Sequence, residues 1–221
     1  MSLIRIRAVA NLINDNNIVV DIGSDHALLS IILITEKRSK KVINIEKNDL
    51  PFLNSVKSTI EFFNQIENIK SDGFKNIKKI TFIDTCTIMG MGGNSILKIL
   101  DDASSQNVGN YILQPNNNVH KLRKWAKENN WKISFETLVE ENKIIYELLI
   151  FNKFIGYEPM SEKDLFFGRI NLKNNSDIFR KKWNLKLNKI IENNLDKFNY
   201  SKYKEFKLIS EILENECKTT S

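Results

Sequence analysis

The chain has 221 residues, 42% of them hydrophobic, with a formal net charge of +6 and a pI near 9.1, so it can bury one full core and carry a small addition. No apolar run approaches the ~20 residues that cross a bilayer, and we expect no membrane partner. Two cysteines far apart in sequence (Cys86 and Cys217) and two histidines without clustered ligands predict neither a disulfide framework nor a metal site, which is typical of a cytoplasmic protein.

The first 155 residues alternate short β-rich runs with helical patterns. A leading helix is predicted over 4–13, followed by strands near 18–22, 41–46, 66–70, 80–89 and 111–113, with helices between them. This alternation predicts a mostly parallel sheet covered on both faces, because parallel neighbours need crossover helices.

Two further strand-like runs, 131–138 and 143–151, are joined only by the polar turn Val139–Asn142. Such a short connection predicts an antiparallel hairpin at the end of the sheet. Five strand–helix units closed by a hairpin are the layout of the Rossmann-like class I methyltransferase fold. We therefore predict an α/β protein with a seven-stranded sheet, whose cofactor-binding catalytic domain spans residues 1–155.

The pattern changes at Gly156–Pro159, and the rest of the chain is helical in character. Apolar residues recur at three- and four-residue steps within 178–191 and again within 203–213, which predicts an antiparallel, coiled-coil-like helical pair in an appendage of residues 156–221. Trp183 is expected in the seam between the helices rather than on a nucleic-acid base. The alternative is that both apolar stripes pack back onto the main domain.

Positive charge is concentrated in this appendage, where residues 169–207 contain eleven Lys or Arg against four Asp or Glu. A basic surface of this kind suits the phosphates of a folded RNA. The candidate phosphate contacts are Arg180, Lys181 and Lys182. The alternative is that these side chains only keep an exposed helix soluble.

Four acids mark the ends or following loops of successive predicted strands: Asp21, Asp25, Glu46 and Asp72. Glu46 follows Asp21 by 25 positions, where an acid would hold the ribose hydroxyls of an adenosine. The loop Gly23–His26 lacks the later glycines of the dinucleotide fingerprint, and carboxylates there would repel a pyrophosphate. S-Adenosylmethionine carries two cationic groups and no phosphate, so an acidic rim predicts this cofactor. Taken singly, each acid could be a helix cap or a solvated loop residue.

The predicted cofactor contacts therefore come from the strand ends and the loops that follow them, with Asp72 placed to accept from the adenine amino group. They are Asp21, Gly23, Ser24, Glu46, Lys47, Asp72, Gly73 and Gly90. His26 is expected to pack against or orient its neighbours rather than to act as a base. Cys86 is expected in the core.

Five segments together resemble one family, the bacterial tRNA (adenine-22-N1)-methyltransferases of the TrmK type. They cover most of residues 3–150 in the order typical of that family: Arg7–Ala10, Asp21–Ala27, Ser71–Gly73, Gly90–Gly93 and Leu113–Asn117. The chain departs from the family pattern at Leu28–Ser30, Met89 and Phe167–Arg169, positions that concern the acceptor pocket rather than the cofactor.

The resemblance implies transfer of a methyl group to N1 of adenosine 22 in the D arm of tRNA, by a protein that we expect to be a monomer. Methylation makes the adenine ring cationic, and Asp25 is the candidate catalytic carboxylate that would stabilise this charge. The acceptor pocket would be formed by Met91, Gly92, Gly93, Gln114, Pro115 and Asn116. The chain lacks the N/D-P-P-Y/F motif of amino-group methyltransferases, which favours the ring nitrogen.

Three other functions are weighed against this one. They are a non-catalytic RNA-binding protein that keeps the fold, a methyltransferase acting on a small molecule, and an NAD-dependent oxidoreductase.

Overall fold

The computed structural model describes residues 3–13, 16–75, 77–103, 106–153, 159–192 and 200–214. Its strands are β1 (Asn16–Ile22), β2 (Ser39–Glu46), β3 (Ile66–Lys70), β4 (Ile83–Met91), β5 (Val108–Pro115), β6 (Trp131–Glu141) and β7 (Ile144–Lys153). Its helices are α1 (Ile4–Ala10), α2 (Leu28–Thr35), α3 (Asp49–Ser58), α4 (Gly93–Asp102), α5 (Val119–Glu128), α6 (Glu162–Phe167), α7 (Arg169–Asn174), α8 (Asp177–Glu192) and α9 (Tyr200–Glu214).

The seven strands form one sheet in the order β3-β2-β1-β4-β5-β7-β6. The first five strands are parallel, whereas β7 runs antiparallel to both β5 and β6. The prediction of a seven-stranded sheet closed by an antiparallel hairpin is confirmed. Since the chain reverses strand order at β1 and β4, the loops after these two strands diverge and leave a crevice at the carboxyl edge of the sheet.

The two faces of the sheet bury separate cores because successive strand residues point in opposite directions. Val20 and Ile22 pack with Cys86 beneath α4 and α5, whereas Val19 and Val42 pack on the other face with α1 and α2. Strands in the middle of the sheet are therefore apolar on both faces, which the near-continuous run Ile18–Ile22 reflects.

One predicted crossover helix is missing. The described residues between β3 and β4 contain no helix, and the chain crosses the sheet there in an irregular segment. Ile77 and Ile80 of this segment pack against the same core cluster as Ile18 and Ile69, so two isoleucines cover the sheet face that a helix would otherwise cover. The expectation of a helix in every crossover was wrong here because a dozen residues are enough to cross without one.

The C-terminal helices pack around a third apolar cluster. It contains Phe167, Phe179, Trp183 and Ile209, together with Leu138 of β6. Trp183 therefore lies where the helical spacing predicted. Because Leu138 belongs to the cluster, the helices are also joined to the sheet, as the alternative interpretation proposed. The coiled-coil-like character of α8 and α9 stays a prediction.

A buried ion network joins the C-terminal helices to the sheet. Arg123 of α5 pairs with Glu136 of β6 (Nε–Oε1, 2.6 Å) and with Glu147 of β7, which also pairs with Lys182 of α8. Gly168, at φ +87°, is the N-cap of α7 beside this network, and a Cβ there would lie 2.6 Å from the Glu136 carboxylate oxygens. Only glycine allows the chain to pass so close to the charged groups.

The predicted domain boundary at residues 155 and 156 lies outside the described residues, as does Cys217. Among the helices that the structure describes, none is long and apolar enough to cross a membrane. The residues that the structure describes also hold no group of three or more His, Cys, Asp or Glu side chains that could bind a metal ion.

Candidate active site

A cavity of about 490 Å³ opens at the carboxyl edge of the sheet, where β1, β2, β3 and β4 end. Eight residues predicted from the sequence to bind cofactor or substrate line it, from these four strand ends and the loops that follow them. We call this space the cofactor cavity; its predicted lining residues are Gly23, Glu46, Lys47, Asp72, Gly73, Gly90, Met91 and Gly92.

The loop after β1 approaches the opposite wall closely. Gly23 adopts φ +80°, and a Cβ at this position would lie 2.3 Å from Cε of Met91. The Gly23 amide donates to the carbonyl of Ile45 in β2 (2.8 Å), which holds the loop against the next strand. Glycine at this position lets the backbone form a wall of the cavity.

Asp21 lies beneath the cavity and not on its rim, contrary to the expectation of an exposed carboxylate there. The side chain is 5% exposed, and Thr87 of β4 donates to its Oδ1 at 2.6 Å. Burial raises the pKa of Asp21 to about 6, although the Thr87 hydrogen bond opposes this, and nearby Glu46 adds to the rise. A carboxyl group with this pKa changes its charge just below neutral pH.

Ser24, Asp25 and His26 form the turn that leads into α2. The hydroxyl of Ser24 is buried and has no hydrogen-bond partner within the described residues, although Ser24 does not line the cofactor cavity. The side chains of Asp25 and His26 are 59% and 48% exposed and lie 3.5 Å apart. His26 adopts φ +59°, and its half-exposed side chain lies beside Asp25, so the expectation that it orients its neighbours stays a prediction.

The rim of the cofactor cavity is not predominantly acidic. Lys75 donates to Asp72 (Nζ–Oδ2, 2.8 Å), and this bond lowers the pKa of the Asp72 carboxyl. Three acids on the lining (Glu46, Asp72 and Asp102) are matched by three lysines (Lys47, Lys75 and Lys98). The rim therefore lacks the surplus of negative charge predicted to select a cationic cofactor, because Lys75 and Lys98 reach it from positions that strand-end motifs do not include.

The loops after β4 and β5 are joined by hydrogen bonds. The side-chain amide of Asn116 donates to the Gly90 carbonyl (2.7 Å), and its backbone N–H donates to the Met91 carbonyl (2.8 Å). Gln114 is fully buried below them, where its Oε1 accepts from the Gly90 amide at 3.3 Å. Of the predicted acceptor residues, Met91 and Gly92 thus line the cofactor cavity, while Gln114 supports the loops.

Sequence reasoning missed Arg5, which extends from α1 to the same loops. Its Nη1 donates to Oε1 of Gln114 (2.7 Å), its Nε donates to Glu141 (2.6 Å), and its guanidinium lies over the ring of Tyr146. The only available signal was an arginine alternating with apolar residues in the leading helix. That pattern indicates the helix but not the contact, which joins residues more than a hundred positions apart.

The predicted phosphate contacts on α8 differ in their surroundings. Arg180 pairs with Asp177, and Lys181 pairs with Glu140 (2.7 Å); both cations stay partly exposed. Lys182 instead points towards the sheet, is only 20% exposed and pairs with buried Glu147. Lys182 therefore has a structural partner that its position in a basic run did not reveal.

The sheet order and the crevice beyond β1 and β4 define the class of protein, a Rossmann-like class I methyltransferase. The site fits S-adenosylmethionine on two observations: the glycine wall at Gly23, and Glu46 at the end of β2, where it can reach ribose hydroxyls.

Comparison with known proteins identifies the family. The profile of the TrmK family, tRNA (adenine(22)-N(1))-methyltransferase, matches residues 19–216, and the chain belongs to this family. It is 31% identical over 192 residues to the tRNA (adenine(22)-N(1))-methyltransferase of Bacillus subtilis, covering 83% of this chain and 80% of that protein.

Two solved structures with similar folds support the same family and cofactor. Sp1610 of Streptococcus pneumoniae in complex with S-adenosyl-L-methionine superimposes with a TM-score of 0.86 at 29% identity, covering 95% of this chain and 98% of that one. TrmK of Mycoplasma capricolum in complex with S-adenosyl-homocysteine superimposes with a TM-score of 0.82, also at 29% identity, covering 96% and 94%. The predicted fold, family and cofactor are confirmed.

Proposed function

We propose that this protein transfers the methyl group of S-adenosylmethionine to N1 of adenosine 22 in tRNA. The observation that carries the proposal is the hydrogen-bonded pair of loops, Gly90–Gly92 and Asn116, that borders the cofactor cavity. These loops offer backbone and amide groups to an acceptor base. Family membership supports the particular adenosine.

Adenine N1 has an in-plane lone pair, so no proton has to leave before attack. The bound cofactor supplies a methyl group on a sulfonium, which departs as a neutral thioether while the new C–N bond forms. The protein's task is to hold N1 in line with the methyl carbon and to exclude water. Because N1 lies on the Watson–Crick edge, the adenosine must be unpaired or turned out of its helix first.

The product ring is cationic, and we propose Asp25 as the carboxylate that stabilises it. Its exposed side chain is free to approach a base that enters from solvent. The turn that carries Asp25 follows β1, whereas Asn116 follows β5, so the two groups would act from different walls of the site. Water excluded by the bound RNA would strengthen the interaction.

Phosphate contacts are proposed for Arg180 and Lys181, whose cations remain accessible at the surface of α8. Lys182 is a weaker candidate, since a phosphate would have to compete with buried Glu147. The predicted contacts are sequence-independent and should weaken as salt is added.

The test is methylation of an unmodified tRNA transcript with methyl-labelled cofactor, followed by identification of the labelled nucleoside. We expect 1-methyladenosine, and we expect no label in a transcript with guanosine at position 22. Label on the exocyclic nitrogen would contradict the ring-nitrogen assignment. Failure to label any tRNA would favour the non-catalytic RNA-binding alternative, and efficient labelling of free nucleosides would favour a small-molecule substrate.

A further inference from the structure

A second cavity, of about 600 Å³, lies between the catalytic sheet and the C-terminal helices. Its walls are the loop 115–120 after β5, residues 144–147 at the start of β7, and the facing sides of α6, α8 and α9. We call this space the hairpin–helix cleft. Pro115 and Asn116 of the predicted acceptor pocket and Lys182 of α8 line it, whereas none of the predicted cofactor contacts does.

The charges on the cleft walls cancel. Each of its three lysines pairs with one of its three glutamates: Lys182 with Glu147, Lys186 with Glu205, and Lys204 with Glu162. Burial, together with Lys121, Lys186 and Arg123, lowers the pKa of His120 on the same wall, which favours its neutral form. A cleft with paired charges suits an uncharged ligand better than a phosphate group.

The remaining walls carry apolar and aromatic side chains. Tyr146 and Phe166 contribute half-buried aromatic rings and Ile144 leaves 53% of its surface exposed, whereas Trp183 is only 3% exposed. The indole N–H of Trp183 is buried without an acceptor among the residues that the structure describes. A buried donor of this kind is uncommon unless a water or a ligand completes it.

The exposed side chains of Asn116 and Asn117 add amide groups to the same cleft. Aromatic rings next to hydrogen-bonding amides match the chemistry of a nucleobase, which is flat, uncharged and polar at its edge.

The cleft adjoins the predicted site of methyl transfer. Asn116 lines the cleft, and its side chain donates to the carbonyl of Gly90, which lines the cofactor cavity. The two cavities are thus separated by one pair of hydrogen-bonded loops. A nucleotide that presents its base to the cofactor cavity has its chain neighbours within reach of the cleft.

We propose that the hairpin–helix cleft binds the unpaired base of a nucleotide directly adjoining the methylated adenosine. This inference rests on the proposed function and extends it. It assigns the recognition of a nucleotide next to the methylated adenosine to the junction between the sheet and the C-terminal helices. The C-terminal helices then complete a base-binding site as well as supplying phosphate contacts.

The test removes the base from the RNA and one wall contact from the protein. Unmodified tRNA is assembled with a single abasic site on either side of adenosine 22, and its binding is measured with S-adenosyl-homocysteine present. The protein variants are Ile144→Ser and, as a matched control, Ile60→Ser, which alters a 71% exposed isoleucine that lines neither cavity.

For the unaltered protein, we expect one of the two abasic sites to weaken binding about tenfold, the effect of losing one base stack. The same abasic site should weaken binding to Ile144→Ser only about threefold, while Ile60→Ser should behave like the unaltered protein. Because both isoleucines are exposed, the variants should keep their unfolding temperature and cofactor affinity.

The inference is overturned if neither abasic site weakens binding more than twofold, or if the abasic penalty is the same in all three proteins. Methylation of intact tRNA by the unaltered protein distinguishes a failure of the cleft assignment from a failure of the proposed function. If adenosine 22 is methylated but the abasic site weakens binding equally in all three proteins, the cleft assignment fails and the proposed function stands. If no tRNA is methylated, the proposed function fails first.

Discussion

The guanidinium of Arg5 donates to the side chain of Gln114 over a distance of 2.7 Å, and so links the first helix to the loops that border the cofactor cavity. Gln114 passes this contact on by accepting from the Gly90 amide and donating to Oδ1 of Asn116. Arg5 and Gln114, which line neither cavity, thereby fix the positions of Gly90 and Asn116, each of which lines one. Arg5 is a positioning residue in this arrangement.

We therefore expect Arg5→Met to lower kcat about tenfold while leaving the dissociation constant of S-adenosylmethionine within about threefold, because a displacement of the acceptor loops impairs alignment more than cofactor binding. Arg5→Lys should restore little activity, since one ammonium cannot reproduce the separate Nε and Nη1 hydrogen bonds. The control is Arg7→Met on the same helix, which loses only the more exposed pair with Glu36. Equal kcat values in the two methionine variants would refute the positioning role.

The pKa of buried Asp21 predicts a pH-dependent stability. Because the pKa rises from 3.8 to about 6 on folding, the folded protein holds the proton more tightly. Its contribution to stability is complete below about pH 4 and is lost as the pH rises through 6, a change of about 3 kcal/mol. Asp21→Asn should remove this component and stabilise the cofactor-free protein at pH 7, as measured by denaturant unfolding between pH 4 and 8.

The same substitution should weaken cofactor binding at pH 7, since an ionised Asp21 would attract the positive charges of S-adenosylmethionine. For the unaltered protein, affinity measured by calorimetry should fall as the pH drops below 6 and Asp21 becomes neutral. The Asn variant should lack this dependence. If Asp21→Asn is less stable to denaturant at pH 7 than the unaltered protein, burial does not control the pKa of Asp21.

Asp25→Asn tests the proposed catalytic carboxylate. We expect cofactor affinity to stay within about tenfold, while the single-turnover rate of methylation falls by roughly a hundredfold, the loss of a few kcal/mol of transition-state stabilisation. Asp49→Asn removes another exposed acid nearby in sequence and should leave the rate unchanged. An equal loss of cofactor affinity and turnover would instead assign Asp25 to cofactor binding.

Lys181 and Lys182 are neighbours in sequence with different expected roles. Lys182→Met leaves Glu147 with one cation fewer inside the interface, and should cost about 2–3 kcal/mol of unfolding free energy. Lys181→Met breaks an exposed pair and should cost less than about 1 kcal/mol, but it should weaken tRNA binding and reduce its salt dependence by about one counterion. Denaturant unfolding and filter binding at several salt concentrations measure the two effects. Unchanged tRNA affinity in the Lys181→Met variant would show that Lys181 does not contact a phosphate.

Local pattern was enough to predict the architecture. Strand periodicity and a short polar connection predicted five parallel strands and a terminal hairpin, because side-chain alternation and loop length depend on residues close together in sequence. The turn itself lies at Asn142 and Lys143 rather than at the predicted Val139–Asn142, since Val139–Glu141 belong to β6. The glycine-rich strand ends were predicted for the same reason, and Gly23, Gly73 and Gly90 all line the cofactor cavity.

The tertiary structure alone decided which charges meet. Asp21 is buried beneath the cavity, Lys75 and Lys98 neutralise its rim, Lys182 turns towards Glu147, and Arg5 reaches Gln114 across the sheet. Charge–charge energies depend on distance and on exclusion of water, which arise from contacts between remote parts of the chain. The amino-acid sequence by itself determined the fold and the family, whereas packing determined the electrostatics of the site and created the hairpin–helix cleft.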